Sequence, residues 1–70
     1  MANEMFKHCR LYKNMSQEEF SEFTGISRPV IARIEAGDLK VSSRVKAKLL
    51  SVFEMSDDFL KFHEQMVISY

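Results

Sequence analysis

Two helix-start signals separated by a glycine, all within residues 16–37, constrain the fold of this chain more than any other feature. Ser16 is followed three residues later by Glu19, the spacing at which a serine and a glutamate cap each other's backbone amides at a helix start. Gly25 suits the left-handed residue that ends such a helix. Ser27 is then placed to cap a second helix. The stretch therefore predicts two short helices joined by a tight turn.

Apolar side chains recur on one face of each of these two helices. Phe20 and Phe23 share a face of the first, and Ile31 and Ile34 share a face of the second. Residues at this spacing face a core when the helix folds. The second helix is then expected to turn the following residues outward: Arg28, Pro29, Val30 and Arg33.

The length and composition predict one small domain, and the helix-start signals along the chain predict that it is all-α. Seventy residues with 46% hydrophobic content lie near the lower limit for a self-supporting core, so helix packing or dimerisation must contribute to stability. We expect a single domain over residues 1–70, without an attached ligand-sensing module. Helices are predicted at about residues 3–13, 17–24, 28–36, 43–53 and 57–68.

The formal net charge of zero argues against nucleic-acid binding, which usually leaves a basic footprint. The charges are unevenly distributed, however. Residues 1–53 contain nine Lys or Arg against six Asp or Glu, whereas residues 54–70 contain one against four. A basic front and an acidic tail are compatible with a surface that binds phosphates.

Several classes of function find no support in the sequence. The lone Cys9 excludes an internal disulfide and is interpreted as a small buried hydrophobe, and no apolar run is long enough to span a membrane. We expect a cytoplasmic protein that is not an enzyme and that binds no cofactor, metal or small-molecule ligand. His8 and His63 lie too far apart along the chain to suggest a metal site.

With these residues in view, the chain resembles the XRE or Cro/cI-type helix-turn-helix regulators, which include lambdoid phage repressors. The resemblance covers roughly residues 3–60 and includes the motif's turn glycine, Gly25. Ser21 and Thr24 depart from the usual alanine and aliphatic residue, but both are small enough for close helix approach. The positions that match the motif's apolar pattern are Phe20, Ile26, Ile31 and Ile34.

The resemblance implies a five-helix lambda-repressor-like DNA-binding domain and a structural ion pair. In this family an arginine of the first helix, here Arg10, often pairs with an acidic residue at the end of the recognition helix, here Glu35. Such a pair would brace the recognition helix against the first helix.

A helix fits the major groove of B-form DNA, and the amino end of the motif's second helix reaches base edges. We therefore expect base contacts from the outward set: Arg28, Pro29, Val30 and Arg33. The two arginines are expected to read guanine, and Val30 a thymine methyl group. Lys48 we interpret as an ordinary solvated charge. Phosphate contacts are implied by the resemblance, or by position after the recognition helix, for Gln17, Ser27, Lys40 and Arg44.

The last predicted helix carries more apolar surface than one core requires. At 100° per residue, its apolar residues occupy an arc of about 160°, wider than the ~100° stripe of a helix that faces one core. We therefore predict a two-fold homodimer through this helix; the alternative is an arc that only covers a small core. The predicted interface residues are Phe59, Phe62, His63, Met66, Val67 and Tyr70.

The sequence leads to one functional prediction and one alternative. We expect a sequence-specific transcriptional regulator, a repressor of the phage or mobile-element switch type, that binds a near-palindromic double-stranded DNA operator as a dimer. Zero net charge and the apolar last helix leave open a protein-interaction module, similar to an antirepressor or antitoxin, that acts mainly through a protein partner.

Overall fold

A computed structural model describes residues 1–68 of the chain, and within that range the secondary structure is entirely helical. The helices are α1 (Asn3–Tyr12), α2 (Gln17–Thr24), α3 (Arg28–Glu35), α4 (Ser43–Leu50) and α5 (Asp57–Ile68). Helix α3 packs against α1 and α2, and α5 packs against α1. The predicted all-α class is therefore confirmed.

Serine caps set the starts of three of these helices. Ser16 and Glu19 form the full capping box of α2, which lowers the pKa of the Glu19 carboxyl because the Ser16 amide and hydroxyl bond to it. The hydroxyl of Ser42 accepts from Val45 at the start of α4, and the hydroxyl of Ser56 accepts from an amide in the first turn of α5. These starts lie where the sequence placed them because a cap is a local interaction.

Helix α1 begins without the side-chain cap that α2, α4 and α5 have. Its N-cap residue is Ala2, which makes no side-chain cap bond. Asn3 lies inside the helix instead, and its amide Nδ2 donates to the Leu39 carbonyl oxygen at 3.0 Å. The side chain therefore ties α1 to the connection that follows α3.

Helix α4 ends at Leu50 rather than reaching the predicted end near residue 53. The amides of Val52 and Phe53 both donate to the Leu49 carbonyl, so the chain turns tightly after the helix. Phe53 is buried by this turn, whereas the side chain of Val52 is 44% exposed.

Residues from every helix or its flanking turn meet in one core. The fully buried aromatic rings pack edge to face, as in the Phe6–Phe20 and Phe53–Phe59 pairs, the arrangement that aromatic quadrupoles favour. The thiol of Cys9 is buried, and burial raises its pKa to about 12, which keeps it protonated and unreactive at neutral pH. The buried apolar set is Phe6, Cys9, Phe20, Ile26, Ile31, Ile34, Leu49, Phe53 and Phe59.

A contact between two histidines joins helices α1 and α5. The Nδ1 atoms of His8 and His63 lie 2.7 Å apart, although the two residues are 55 positions apart in the chain. This distance is that of a hydrogen bond. The separation along the chain was therefore a poor guide to whether these side chains meet.

Candidate nucleic-acid interface

The outer face of α3 is the surface on which the functional prediction depends. Ile31 and Ile34 are completely buried on the opposite face, so the helical period turns Pro29 and Arg33 toward solvent. Arg28, at the amino end of the helix, is also exposed. The structure therefore places the two arginines and the proline together on one accessible surface, which we call the α3 outer face.

Val30 does not belong to this face as fully as expected. Its side chain is half-buried and packs against the core. It lies at the edge of a groove between α3 and α4, which it lines with Ile26 and Val45. The reason is geometric, because Val30 precedes buried Ile31 on the helix and points sideways rather than outward.

A bidentate ion pair holds the far end of α3. Nε and Nη2 of Arg10 each donate to a carboxylate oxygen of Glu35 at 2.7 Å, and Nη1 donates to the Met15 carbonyl at 2.9 Å. The side chains of the two charged residues are only 14% and 6% exposed. The bond to Glu35 raises the pKa of the Arg10 guanidinium. The pair that the resemblance implied is thus present, and it fixes α3 to α1 and to the α1–α2 connection.

Gln17 is engaged within the protein. Its amide Nε2 donates to Oε1 of Glu35 at 3.3 Å, and its side chain is half-buried. A phosphate contact by Gln17 therefore requires its amide to share or exchange this bond. In the absence of DNA, this bond holds the side-chain amide of Gln17 beside α3.

Ser27 occupies the N-cap position of α3, but its hydroxyl makes no cap bond. A cap hydroxyl accepts from the second or third amide of the helix, and Pro29, at the second position, has no N–H to give. Ser27 is exposed, so its hydroxyl faces solvent at the amino end of α3. The expected cap was wrong, and the side chain is accessible for the predicted phosphate contact.

Basic side chains of α4 border the same end of α3. Arg44 and Lys48 line the α3–α4 groove together with Ser27, and Nζ of Lys48 donates to the Gly25 carbonyl at 3.3 Å. Lys40 is exposed in the α3–α4 connection. Lys48 was interpreted from sequence as a solvated charge. Lys48 is four residues from Arg44, a spacing that places both side chains on one helix face. This spacing is the sequence signal that Lys48 lies beside Arg44 at the groove.

The α5 residues predicted for a dimer interface differ in how far they are buried. Phe59 is completely buried in the chain's own core, so its assignment to an exposed interface was wrong. Three more of the set, Phe62, His63 and Met66, are half-buried, whereas Val67 is 46% exposed. Tyr70 lies outside the described residues. The wide arc seen in the sequence therefore consists largely of an inner face that packs on the rest of the domain.

An exposed apolar strip remains on the other side of α5. We call it the α5 outer face; Leu60 and Ile68 on it are 41% and 73% exposed. Residues at this spacing lie above one another on a helix. The α5 outer face consists of the exposed apolar residues Leu60, Val67 and Ile68, with the charged Glu64 among them.

Comparisons with known proteins agree with this geometry. A family model described as Helix-turn-helix, HTH_3, matches residues 6–60, a span that contains α2, α3 and α4. The chain belongs to this XRE-type helix-turn-helix family. It is 33% identical over 60 residues to the SPbeta prophage-derived uncharacterized HTH-type transcriptional regulator YonR of Bacillus subtilis. Among solved structures, none matches significantly.

The aligned region covers 86% of this chain but only 56% of the relative. The chain therefore spans a little over half the length of the regulator that it matches. Within residues 1–68, the longest helix is too short and too polar to cross a lipid bilayer.

Proposed function

We propose that this chain is a DNA-binding transcriptional regulator whose helix α3 enters the major groove of double-stranded DNA. The observation that carries the proposal is the α3 outer face, where Arg28, Pro29 and Arg33 are exposed while Ile31 and Ile34 anchor the opposite side. A helix of this diameter fits the major groove, and an arginine bonds both O6 and N7 of guanine. Membership of the helix-turn-helix family supports the same reading.

The residues of this surface divide into two roles. Arg28 and Arg33 read guanine bases, while Pro29 offers only apolar contact and Val30 reaches a thymine methyl from the edge of the face. Phosphates are bound by Gln17, Ser27, Lys40 and Arg44. Phosphate contacts orient the domain but carry no sequence information directly.

The proposed active species is a homodimer on a near-palindromic operator. Two recognition helices related by a two-fold axis address half-sites about 34 Å apart, one turn of B-form DNA. The exposed apolar strip of the α5 outer face supports a self-association surface, since burial of apolar area drives association. Repression follows if the dimer occludes the polymerase, in the manner of a phage or mobile-element switch.

Selection of bound fragments from a random DNA pool tests the proposal. We expect enrichment of a paired motif whose half-sites are one helical turn apart. On that motif, Arg33→Ala should weaken binding by about 1–3 kcal/mol and relax preference at one base pair, whereas Lys40→Ala should weaken binding to all sequences alike.

Lys61→Ala is the matched control, since it also removes one exposed positive charge but lies on α5. It should leave the affinity almost unchanged. If all three variants instead weaken binding to random DNA equally, binding is a general charge effect. The assignment of Arg33 to base reading then fails.

The α5 outer face also favours a second candidate, a domain that acts mainly by binding another protein. The exposed side chains of Leu60, Val67 and Ile68 form an apolar strip on a chain with no net charge. Absence of DNA binding even at low salt, where electrostatic attraction is strongest, would favour this candidate over the first.

A further inference from the structure

The contact between His8 and His63 is a partly buried hydrogen bond between two imidazole rings. The side chain of His8 is 3% exposed, and the ring of Phe62 meets it edge to face. Phe59 stacks against the ring of His63, with 18° between the planes. His63 lies beyond the residues matched by the family model, so the contact joins the helix-turn-helix region to the middle of α5.

A neighbouring carboxylate favours one arrangement of protons. Nε2 of His8 lies 4.0 Å from Oε1 of Glu4. A hydrogen on this nitrogen faces the carboxylate favourably, whereas a lone pair there would repel it. His8 then carries its proton on Nε2, and its bare Nδ1 accepts from Nδ1–H of His63.

The number of protons on the pair decides whether this bond exists. With both rings neutral, His63 donates to His8, and one additional proton on Nε2 of His63 leaves that bond in place. A second additional proton falls on Nδ1 of His8, so two N–H groups and two positive charges then face each other at a distance of 2.7 Å. We propose that the His8–His63 pair is a proton-sensitive latch, which holds α5 on α1 near neutral pH and opens when acid protonates both rings.

The charged and titratable groups around His8 do not remove this sensitivity. Burial lowers the pKa of His8, and the nearby His63 and Lys7 lower it further, while the solvent-exposed Glu4 opposes them. From α3, Glu35 lines a groove beside His8, but its carboxylate is paired with Arg10. Within residues 1–68, neither imidazole is hydrogen-bonded to a carboxylate.

The direction of the pH effect follows from the lowered pKa. An unfolded chain binds a proton at His8 near pH 6.5, whereas the folded chain binds it only at lower pH. The unfolded state therefore takes up more protons, and the stability contributed by the neutral pair is present above about pH 6.5 and is lost as pH falls below it.

The test compares urea unfolding of the wild type and His63→Gln at pH 7.5 and pH 5.0, with EDTA present and no DNA. Glutamine is neutral at both values and offers His8 a hydrogen-bonding amide. Between the two pH values, the folding equilibrium constant of the wild type should fall about tenfold more than that of His63→Gln, equivalent to one pKa unit. A difference of less than about threefold overturns the proposal.

Two further variants keep the result interpretable. Lys61→Gln removes a charge from an exposed position of α5 outside the α5 outer face and should retain the wild-type pH dependence. If His63→Gln does not fold, His63→Phe carries the same test, because it retains a ring against Phe59 and does not titrate.

Hydrogen exchange locates the change. After correction for intrinsic exchange rates, amides of α5 in the wild type should lose protection at pH 5.0 before those of α3 do. Unchanged protection of α5 at pH 5.0 also overturns the latch.

Discussion

Helices α3 and α5 are fixed to the domain by opposite means and present opposite surfaces. Helix α3 buries two isoleucines, is fastened by a bidentate ion pair, and turns arginines outward. Helix α5 buries Phe59, is fastened by a bond between histidines, and turns an apolar strip outward. The difference indicates that one domain of this size offers two surfaces of distinct chemistry, one suited to a polyanion and the other to an apolar partner.

The contacts that hold α3 and α5 also differ in their response to acid. The guanidinium of Arg10 keeps its proton, and therefore all its donors, throughout the neutral and mildly acidic range. A pair of imidazoles changes its hydrogen bonding in that range. Acid should therefore weaken the position of α5 well before that of α3.

The largest expected change in the free energy of unfolding comes from a substitution on α5. It tests whether Phe59 belongs to the core or to an interface. Phe59→Ala removes a completely buried ring and should lower the free energy of unfolding by about 3–5 kcal/mol in urea denaturation. Leu60→Ala, the neighbouring control on the outer face, should change it by less than about 1 kcal/mol. If Phe59→Ala instead leaves the monomer's stability intact and only dissociates a dimer, then Phe59 is an interface residue after all.

The attachment of α3 is tested by Glu35→Ala. Loss of this carboxylate leaves the guanidinium of Arg10 poorly solvated and without its ionic partner, which should lower the free energy of unfolding by about 3 kcal/mol. Glu22→Ala, at an exposed position on α2, should have little effect in the same urea titration. Equal stability of the two variants would mean that the ion pair contributes nothing net.

The turn between α2 and α3 should be sensitive through its backbone alone. Gly25 has φ of +76°, and a methyl group there would meet no atom within 4 Å, so Gly25→Ala should cost about 1 kcal/mol from strain of the left-handed conformation. Gly37, with φ of +84° and the same open surroundings, provides a matched position whose alanine variant should cost as much. A much larger loss at Gly25, measured by thermal unfolding, would reveal a role of the turn beyond conformation.

The smallest effect on stability is expected from Val67→Asp. Because Val67 is 46% exposed, the charge should alter the monomer's free energy of unfolding by no more than about 0.5 kcal/mol. If the α5 outer face is the dimer interface, sedimentation should show a shift toward monomer. A dimer that persists in this variant uses another surface.

The sequence predicted well those features that depend on neighbours in the chain. The Ser16–Glu19 capping box, the left-handed Gly25 and the periodic burial of Ile31 and Ile34 are all present, since each needs only a few adjacent residues. The amino end of α3 shows the limit of such patterns. There the cap serine has the correct backbone geometry, but the neighbouring proline removes one of the amides that it would bond.

Features that depend on distant parts of the chain were harder to predict. An apolar residue on α5 has the same appearance in sequence whether it packs on its own domain or on a second copy, so Phe59 was assigned to the wrong surface. Likewise, only the packing of α5 on α1 brings His63 to His8. The exposure of Arg28, Pro29 and Arg33 was easier to predict because it follows from the helical period of α3 itself.

The three-way bonding of Arg10 makes its pairing with Glu35 directional. One guanidinium serves the carboxylate with two donors and the Met15 carbonyl with a third. Exchanging the residues, Arg10→Glu with Glu35→Arg, would preserve the total charge but bring an acceptor to face that carbonyl oxygen. A lysine at position 10 would keep the sign of the charge but lose the planar fork. Preserving the charges at positions 10 and 35 is therefore not enough to preserve the bonds that Arg10 makes.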